Sequence, residues 1–252
     1  MFEDIKDKRV LITGASGGMG VGMARIFAEY GARLGLHYRS NKKGVAQLLQ
    51  EICDKKGEAE IFQADFLDQE SRENLIRLFV EKFGGIDVLI NNAGAIYDYK
   101  HFSELDEKSW QNTFDLNVKA PFYLIGKVLP YMKEQGGGRI INISSVNVKY
   151  GGSAKSLHYV AAKAALDNLT LGFAREGAKH NILVNSIRCG FIDTPMRAKV
   201  DGYSEENAQE RIRMIPLRRM GQPIDIARMA LFLASESGNF ITGEIFTVAG
   251  GD

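Results

Sequence analysis

Arg9-Val10-Leu11-Ile12-Thr13-Gly14-Ala15-Ser16-Gly17-Gly18-Met19-Gly20 is the stretch whose reading decides the fold. It opens as a short β-rich run and stops at Gly14. From Val21 to Tyr30 the chain changes to a helical pattern carried by Ala24, Ile26, Phe27 and Ala28. Strand, glycine turn, helix is the layout in which a helix N-terminus and free backbone N–H groups hold a pyrophosphate. Any side chain in that turn would keep a phosphate off the backbone. A plain tight turn is the alternative, and it does not call for so dense a run of glycine.

Working outward, strand and helix patterns keep alternating. Arg33–Tyr38 reads as a second strand, 44–56 as a helix, 59–63 as a third strand and Asp65-Phe66 as the turn after it. Ile86–Ile90 is the fourth strand and leads into Asn91-Asn92-Ala93-Gly94. A long helix is expected over 105–132, interrupted at Pro121. Gly136-Gly137-Gly138 then turns into the strand Arg139–Ile143, which ends at Ser144-Ser145. A helix from Tyr159, a strand over 182–187 and a closing strand region over 240–248 complete the pattern. Such alternation implies an α/β Rossmann fold, a doubly wound parallel sheet with helices on both faces. Right-handed crossovers put its site at the carboxyl ends of the strands. No linker or low-complexity stretch divides the chain, so one domain over 1–252 is expected.

Bulk properties exclude several classes. A 45% hydrophobic and 25% charged chain is ordinary for a soluble globular protein. With a formal net charge of +1, nothing points to nucleic acid or an anionic membrane. Met1 to Lys6 lacks an apolar signal-peptide core, and no run approaches the length of a membrane span. Cys53 and Cys189 fit no metal spacing and read as free thiols in a reducing cytoplasm. The four histidines, His37, His101, His158 and His180, form no metal-binding pattern.

Tyr159-Val160-Ala161-Ala162-Lys163 heads a run to Leu171 without Pro or Gly. Residues four apart share a helix face about 6 Å apart along the axis, so the Tyr159 phenol and the Lys163 ammonium can face one pocket. A fixed cation favours phenolate, so Lys163 is expected to lower the Tyr159 pKa and fit it for proton exchange. A chance Tyr-x-x-x-Lys on a helix is the competing reading.

Thr13-Gly14-x-x-x-Gly18-x-Gly20, followed in order by Asn91-Asn92-Ala93-Gly94 and Tyr159-x-x-x-Lys163, resembles the short-chain dehydrogenase/reductase family from about residue 6 to the C-terminus. The resemblance implies seven strands in the order 3-2-1-4-5-6-7 and reversible oxidoreduction between a secondary alcohol and a carbonyl. It implies catalytic roles for Asn117, Ser145, Tyr159 and Lys163, with Ser144 as a possible substitute for Ser145 and with Asn117 interrupting its helix and holding a water for proton relay. Ser145 lies fourteen residues before Tyr159, one more than is common in the family, and a loop at Gly151-Gly152 would absorb the difference. Carried over likewise to the cofactor are Gly14, Ser16, Gly18, Met19, Gly20, Asp65, Asn92, Ala93, Gly94, Gly190, Ile192 and Thr194, besides Tyr159 and Lys163. Asp65 would bind the adenine amino group, though from the residues alone it could equally open the next helix. Cys189-Gly190 stands where the family usually has Pro-Gly.

Cofactor choice has a signal in the residues themselves. NAD binders of this architecture place an acid about 20 positions after the glycines. From Tyr30 to Gln50 there is no Asp or Glu, whereas Arg39 offers a planar guanidinium, with Ser40 and Asn41 as further donors. NADP(H) is therefore favoured, with NAD(H) possible.

Substrate choice stays open among a 3-oxoacyl group on an acyl carrier, a sugar or polyol, and a hydroxysteroid. A non-catalytic NADP sensor is the reading from another class. Arg197, Lys199, Arg211 and Arg213 in the segment 191–214, which resembles the family's substrate lid, suggest a basic entrance; Asp193, Asp201, Glu205, Glu206 and Glu210 blur it. The resemblance also implies a homotetramer, with Phe122, Tyr123, Leu166, Leu169 and Phe173 as candidate interface residues.

Overall fold

The computed structural model describes residues 2–195 and 204–252. Seven strands form one parallel sheet: β1 (Arg9–Ile12), β2 (Arg33–Tyr38), β3 (Glu58–Gln63), β4 (Val88–Asn91), β5 (Gly138–Ser145), β6 (Ile182–Cys189) and β7 (Ile245–Val248). Their order is β3-β2-β1-β4-β5-β6-β7, as the family resemblance implies. Strands buried on both faces read as continuous apolar runs, and side-chain alternation divides each run between two cores. Val10, Ile12, Val88, Ile90, Ile141, Ile143 and Ile187 point into one core. Leu11, Leu89, Ile140 and Val184 point into the other.

Helices α1 (Gly18–Glu29), α2 (Lys42–Asp54) and α8 (Pro223–Ala234) cover the first core. Helices α3 (Gln69–Phe83), α5 (Ala120–Glu134) and α6 (Leu157–Ala178) lie over the second. Two shorter helices, α4 (Glu107–Phe114) and α7 (Glu205–Met214), precede α5 and α8. Among the described residues no helix is long and apolar enough to cross a membrane.

One expectation needs correction. The helix over 105–132 is two helices, α4 and α5, joined by a π-helical stretch at Asp115–Lys119. Pro121 marks the far side of that break: it has no N–H for the Asn117 carbonyl four residues back. The backbone widens instead, and the Ala120 N–H reaches the Asp115 carbonyl five residues back. The strand after Gly136-Gly137-Gly138 ends at Ser144-Ser145 as expected, both residues pairing in register with Arg188 and Cys189 of β6.

Arg197, Lys199 and Asp201, expected in the lid, lie outside the described residues.

Candidate active site

The carboxyl ends of β1 and β4 are tied by Thr13 and Asn92. The Thr13 hydroxyl donates to the Ile90 carbonyl at 3.2 Å and accepts from the N–H groups of Asn92 and Ala93 at 2.9 Å each. Asn92 Nδ2 donates to the carbonyls of Thr13 and Gly14 at 2.8 and 3.1 Å. Asn92 and Ala93 thus act as struts under the glycine loop. The Thr13 hydroxyl is wholly used inside the fold.

The loop packs tightly against the start of α1. A Cβ on Gly20 would stand 2.3 Å from the Gly14 carbonyl oxygen and 2.8 Å from Ala15 Cα, so no side chain fits there. A Cβ on Gly18 would lie 3.1 Å from Thr194 Cβ, which places Thr194 against the loop. Gly18 and Met19 open α1 with N–H groups that have no intrahelical acceptor. The Gly14 N–H is not one of the free donors: it donates to His37 Nδ1 at 3.0 Å.

Beyond the loop, Arg39 is exposed at the end of β2 and donates to the Tyr97 hydroxyl at 3.0 Å. Ser40 is exposed beside it, and Asn41 caps α2 while donating to the Ser16 carbonyl at 2.9 Å. Asp65 is not the cap of α3; Asp68 accepts from the Ser71 N–H in that role. Asp65 instead accepts from the Leu67 N–H at 3.0 Å in the turn after β3.

The Tyr-Lys pair lies on the first turns of α6, under the ends of β5 and β6. Lys163 is 3% exposed, and its Nζ donates to the Ile143 carbonyl at 2.9 Å. Nζ lies 5.7 Å from the centroid of the Tyr159 ring. His158, beside Tyr159, is buried and bonds the Tyr97 carbonyl at 2.9 Å. Ser144 Oγ donates to the Lys163 carbonyl at 3.4 Å, within the sheet–helix interface. Ser145 Oγ, at the strand end, accepts from the Asn147 N–H at 3.3 Å.

Asn117 is fully buried in the π-helical stretch. Its Nδ2 donates to the carbonyls of Ala95 at 2.7 Å and Thr113 at 2.8 Å, while its Oδ1 has no hydrogen-bond partner among the described residues. A buried carbonyl oxygen left open is a place for a polar ligand atom or water. A Cβ on Gly94 would stand 2.8 Å from Asn117 Oδ1 and 3.1 Å from Lys163 Nζ, so this glycine leaves room where the two groups converge.

Burial overturns the expected electrostatics of the pair. It raises the Tyr159 pKa above its ordinary value, and Lys163 does not offset it. Tyr159 keeps part of its surface exposed, but its phenol is set deep enough for desolvation to dominate. Burial likewise lowers Lys163 to about 8 and raises the neighbouring Cys189 thiol to about 12. In the cofactor-free chain, then, the phenol is a protonated group rather than a phenolate.

On the last wall, Ile192 is buried and bridges to Gly221, and the Gly190 N–H donates to the Val248 carbonyl. Of the described basic residues expected at the entrance, Arg211 is paired with Asp252. Among the described residues no cluster of His, Cys, Asp and Glu could hold a metal ion.

A doubly wound parallel sheet, with a glycine loop at its first crossover and a buried Tyr-Lys pair at the strand ends, defines a dinucleotide-dependent oxidoreductase. The family model described as "Enoyl-(Acyl carrier protein) reductase" matches residues 14–252. The chain belongs to the short-chain dehydrogenase/reductase family. It is similar to a 3-oxoacyl-(acyl-carrier-protein) reductase of Staphylococcus aureus, 38% identical over 244 residues and 97% of each chain. It superposes with a TM-score of 0.92 on a 7α-hydroxysteroid dehydrogenase complexed with NADH and 7-oxo glycochenodeoxycholic acid, 32% identical, covering 99% of this chain and 96% of that one. A blue fluorescent protein from a metagenomic library, complexed with NADPH, superposes with a TM-score of 0.91 at 32% identity over 98% of each chain.

His37 and Tyr97 are the polar groups that sequence reasoning missed. Neither belongs to a spacing pattern, and each acts through partners remote in sequence.

Proposed function

We propose that the protein is an NADP(H)-dependent reductase that converts a carbonyl to a secondary alcohol, with a 3-oxoacyl group on an acyl carrier as the leading substrate class. The observation that carries this reading is the convergence of Lys163 Nζ and Asn117 Oδ1 on the space kept open by Gly94. That space adjoins the Tyr159 ring and lies at the carboxyl ends of the strands.

When bound, NADP(H) supplies the hydride. The N–H groups of Gly18 and Met19 would hold its pyrophosphate, and Lys163 would bind a ribose hydroxyl. Ser145, with its hydroxyl at the strand end, orients the substrate oxygen, whereas the Ser144 hydroxyl is turned to helix backbone. Tyr159 gives its proton to that oxygen. A phenol held protonated by burial suits it to act as the acid, and so favours reduction near neutral pH. Asn117 Oδ1 can hold the water through which a proton is replaced. Screening NADPH oxidation against 3-oxoacyl, sugar and steroid carbonyls tests the assignment. Binding of NADPH without turnover of any carbonyl would support the sensor reading instead.

The preference for NADP(H) rests on exposed Arg39, held by Tyr97 at the end of β2, and on the lack of an acid there. A charge-assisted bond to the 2′-phosphate is worth about 1.5–3 kcal/mol, or roughly tenfold or more in affinity. Arg39→Asp is expected to shift preference to NAD(H), read as the ratio of the two dissociation constants. A native protein that binds NADH as tightly as NADPH contradicts this.

We further propose a homotetramer assembled through α5 and α6. Phe122, Tyr123 and Leu171 are 45%, 47% and 37% exposed on these helices, a surface that association would cover. Leu166, by contrast, belongs to the core. Sedimentation at micromolar concentration is expected to give four chain masses, and a monomer would contradict the assembly.

A further inference from the structure

We propose that His37 is a positioning residue for the adenosine half of the cofactor site, a neutral imidazole brace that sets the glycine loop and the adenine-side turn at a fixed separation. The proposal rests on the reading of the chain as a nicotinamide-dinucleotide enzyme.

His37 lies on β2 and is 2% exposed. Its Nδ1 accepts from the Gly14 N–H at 3.0 Å, so that nitrogen carries no proton. The proton is then on Nε2, which donates to the Ala64 carbonyl at 3.1 Å. The ring stacks on Phe66, with centroids 4.2 Å apart and planes 8° from parallel. One ring therefore contacts the first glycine of the loop and both neighbours of Asp65. The His37 backbone adds a third tie, its carbonyl accepting from the Ala15 N–H at 2.8 Å.

These bonds have a consequence for the phosphate site. With the N–H groups of Gly14 and Ala15 drawn back to β2, the loop cannot turn them toward a ligand. The donors left for a ligand lie further along the chain, among them Gly18 and Met19 at the start of α1. Burial lowers His37 to about 4, which keeps the ring neutral and the Gly14 acceptor intact near neutral pH.

The side chain thus fixes which amides face the pyrophosphate and where the turn carrying Asp65 stands. Being fully paired within the protein, it acts through Gly14 and Ala64 and touches no reacting atom. A histidine on a buried strand carries no such signal in the sequence, because both partners are more than twenty residues away.

The test uses purified full-length protein and two probes, NADPH and adenosine 2′,5′-bisphosphate, which lacks the nicotinamide half. His37→Phe keeps a stacked ring but has no nitrogen. The dissociation constants of both probes are expected to rise about tenfold. Turnover at saturating NADPH is expected to stay within about twofold, so the loss appears in cofactor KM and not in kcat. His37→Asn places an amide oxygen near the position of Nδ1 but leaves the Ala64 carbonyl without its donor, so it is expected to recover only part of the loss, with dissociation constants about threefold above wild type. A folded Phe variant that binds both probes like wild type overturns the brace. So does an Asn variant that binds both probes like wild type without the Ala64 bond, a result that decides the matter even where the Phe variant does not fold. Wild-type protein that binds neither NADPH nor NADH would instead overturn the underlying oxidoreductase reading.

Discussion

Tyr159→Phe is expected to lower turnover by about 10²–10⁴-fold, the range contributed by a positioned acid or base, while NADPH binding stays close to wild type. The ring remains and only the hydroxyl is lost, so packing around the start of α6 changes little. The same residue sets a pH dependence. Reduction needs the phenol, which burial keeps protonated well above neutral pH, so its rate should not fall through Tyr159 ionisation between pH 6 and 9. Alcohol oxidation needs the phenolate, so its rate should climb as pH rises. Steady-state rates in both directions, with direct measurement of NADPH binding, check the prediction. A folded Tyr159→Phe protein that retains turnover would remove the catalytic assignment.

Lys163→Met is expected to abolish activity and yet leave the cofactor-free protein at least as stable as wild type near pH 7. Methionine fits the buried slot without a charge. The loss is the hydrogen bond to the Ile143 carbonyl, with an unsatisfied acceptor costing about 1–3 kcal/mol. Against it stands the cost of holding an ammonium in a buried site. The Lys163 pKa falls from 10.5 to about 8 on folding, equivalent to roughly 3 kcal/mol at pH values below both. The sign follows from proton release: the unfolded chain binds more protons between pH 8 and 10.5, so wild-type stability rises with pH there.

Cys189 opposes this from pH 9 upward, since its thiol is raised from 9.0 to about 12 on folding and its share of stability is lost as pH climbs. The Lys163 contribution is therefore cleanest between pH 7 and 9, where it amounts to about 1 kcal/mol. Thermal melts without cofactor at pH 7, 8 and 9 should show an upward slope in wild type that the Met variant lacks. An identical slope in both proteins would place the proton release elsewhere. A side chain that is costly to the fold and necessary for turnover is one kept for chemistry rather than stability.

Much of this architecture was legible in the residues. Alternating strand and helix patterns led to the parallel sheet, because the constraint is local: fully buried strands must be apolar and crossovers right-handed, while the strand order followed from the family resemblance. The glycine loop was legible for a similar reason, since only glycine tolerates the approach of the Gly14 carbonyl to position 20. Tyr159 and Lys163 were legible because helical spacing puts them on one face and the family resemblance gives the pair its role.

Tertiary structure decided the rest. The resemblance put a break at Asn117, but the π-helical form of that break and the hold of the Asn117 side chain on the Ala95 carbonyl 22 residues away are tertiary, and Pro121 only marks one end of it. Whether Asp65 opened the next helix or stayed in the turn depended on which carboxylate met the Ser71 N–H, and that carboxylate belongs to Asp68. Spacing suggested that Lys163 would lower the Tyr159 pKa, but spacing carries no information about burial, and burial raised it. The expected basic entrance shrank once Arg211 found Asp252. His37 became visible only when folding brought Gly14 and Ala64 to its two ring nitrogens. By itself, then, the sequence determined what backbone periodicity and glycine sterics dictate. Protonation states, pairings and the braces behind the site belong to the tertiary structure, because each depends on desolvation or on a partner distant in the chain.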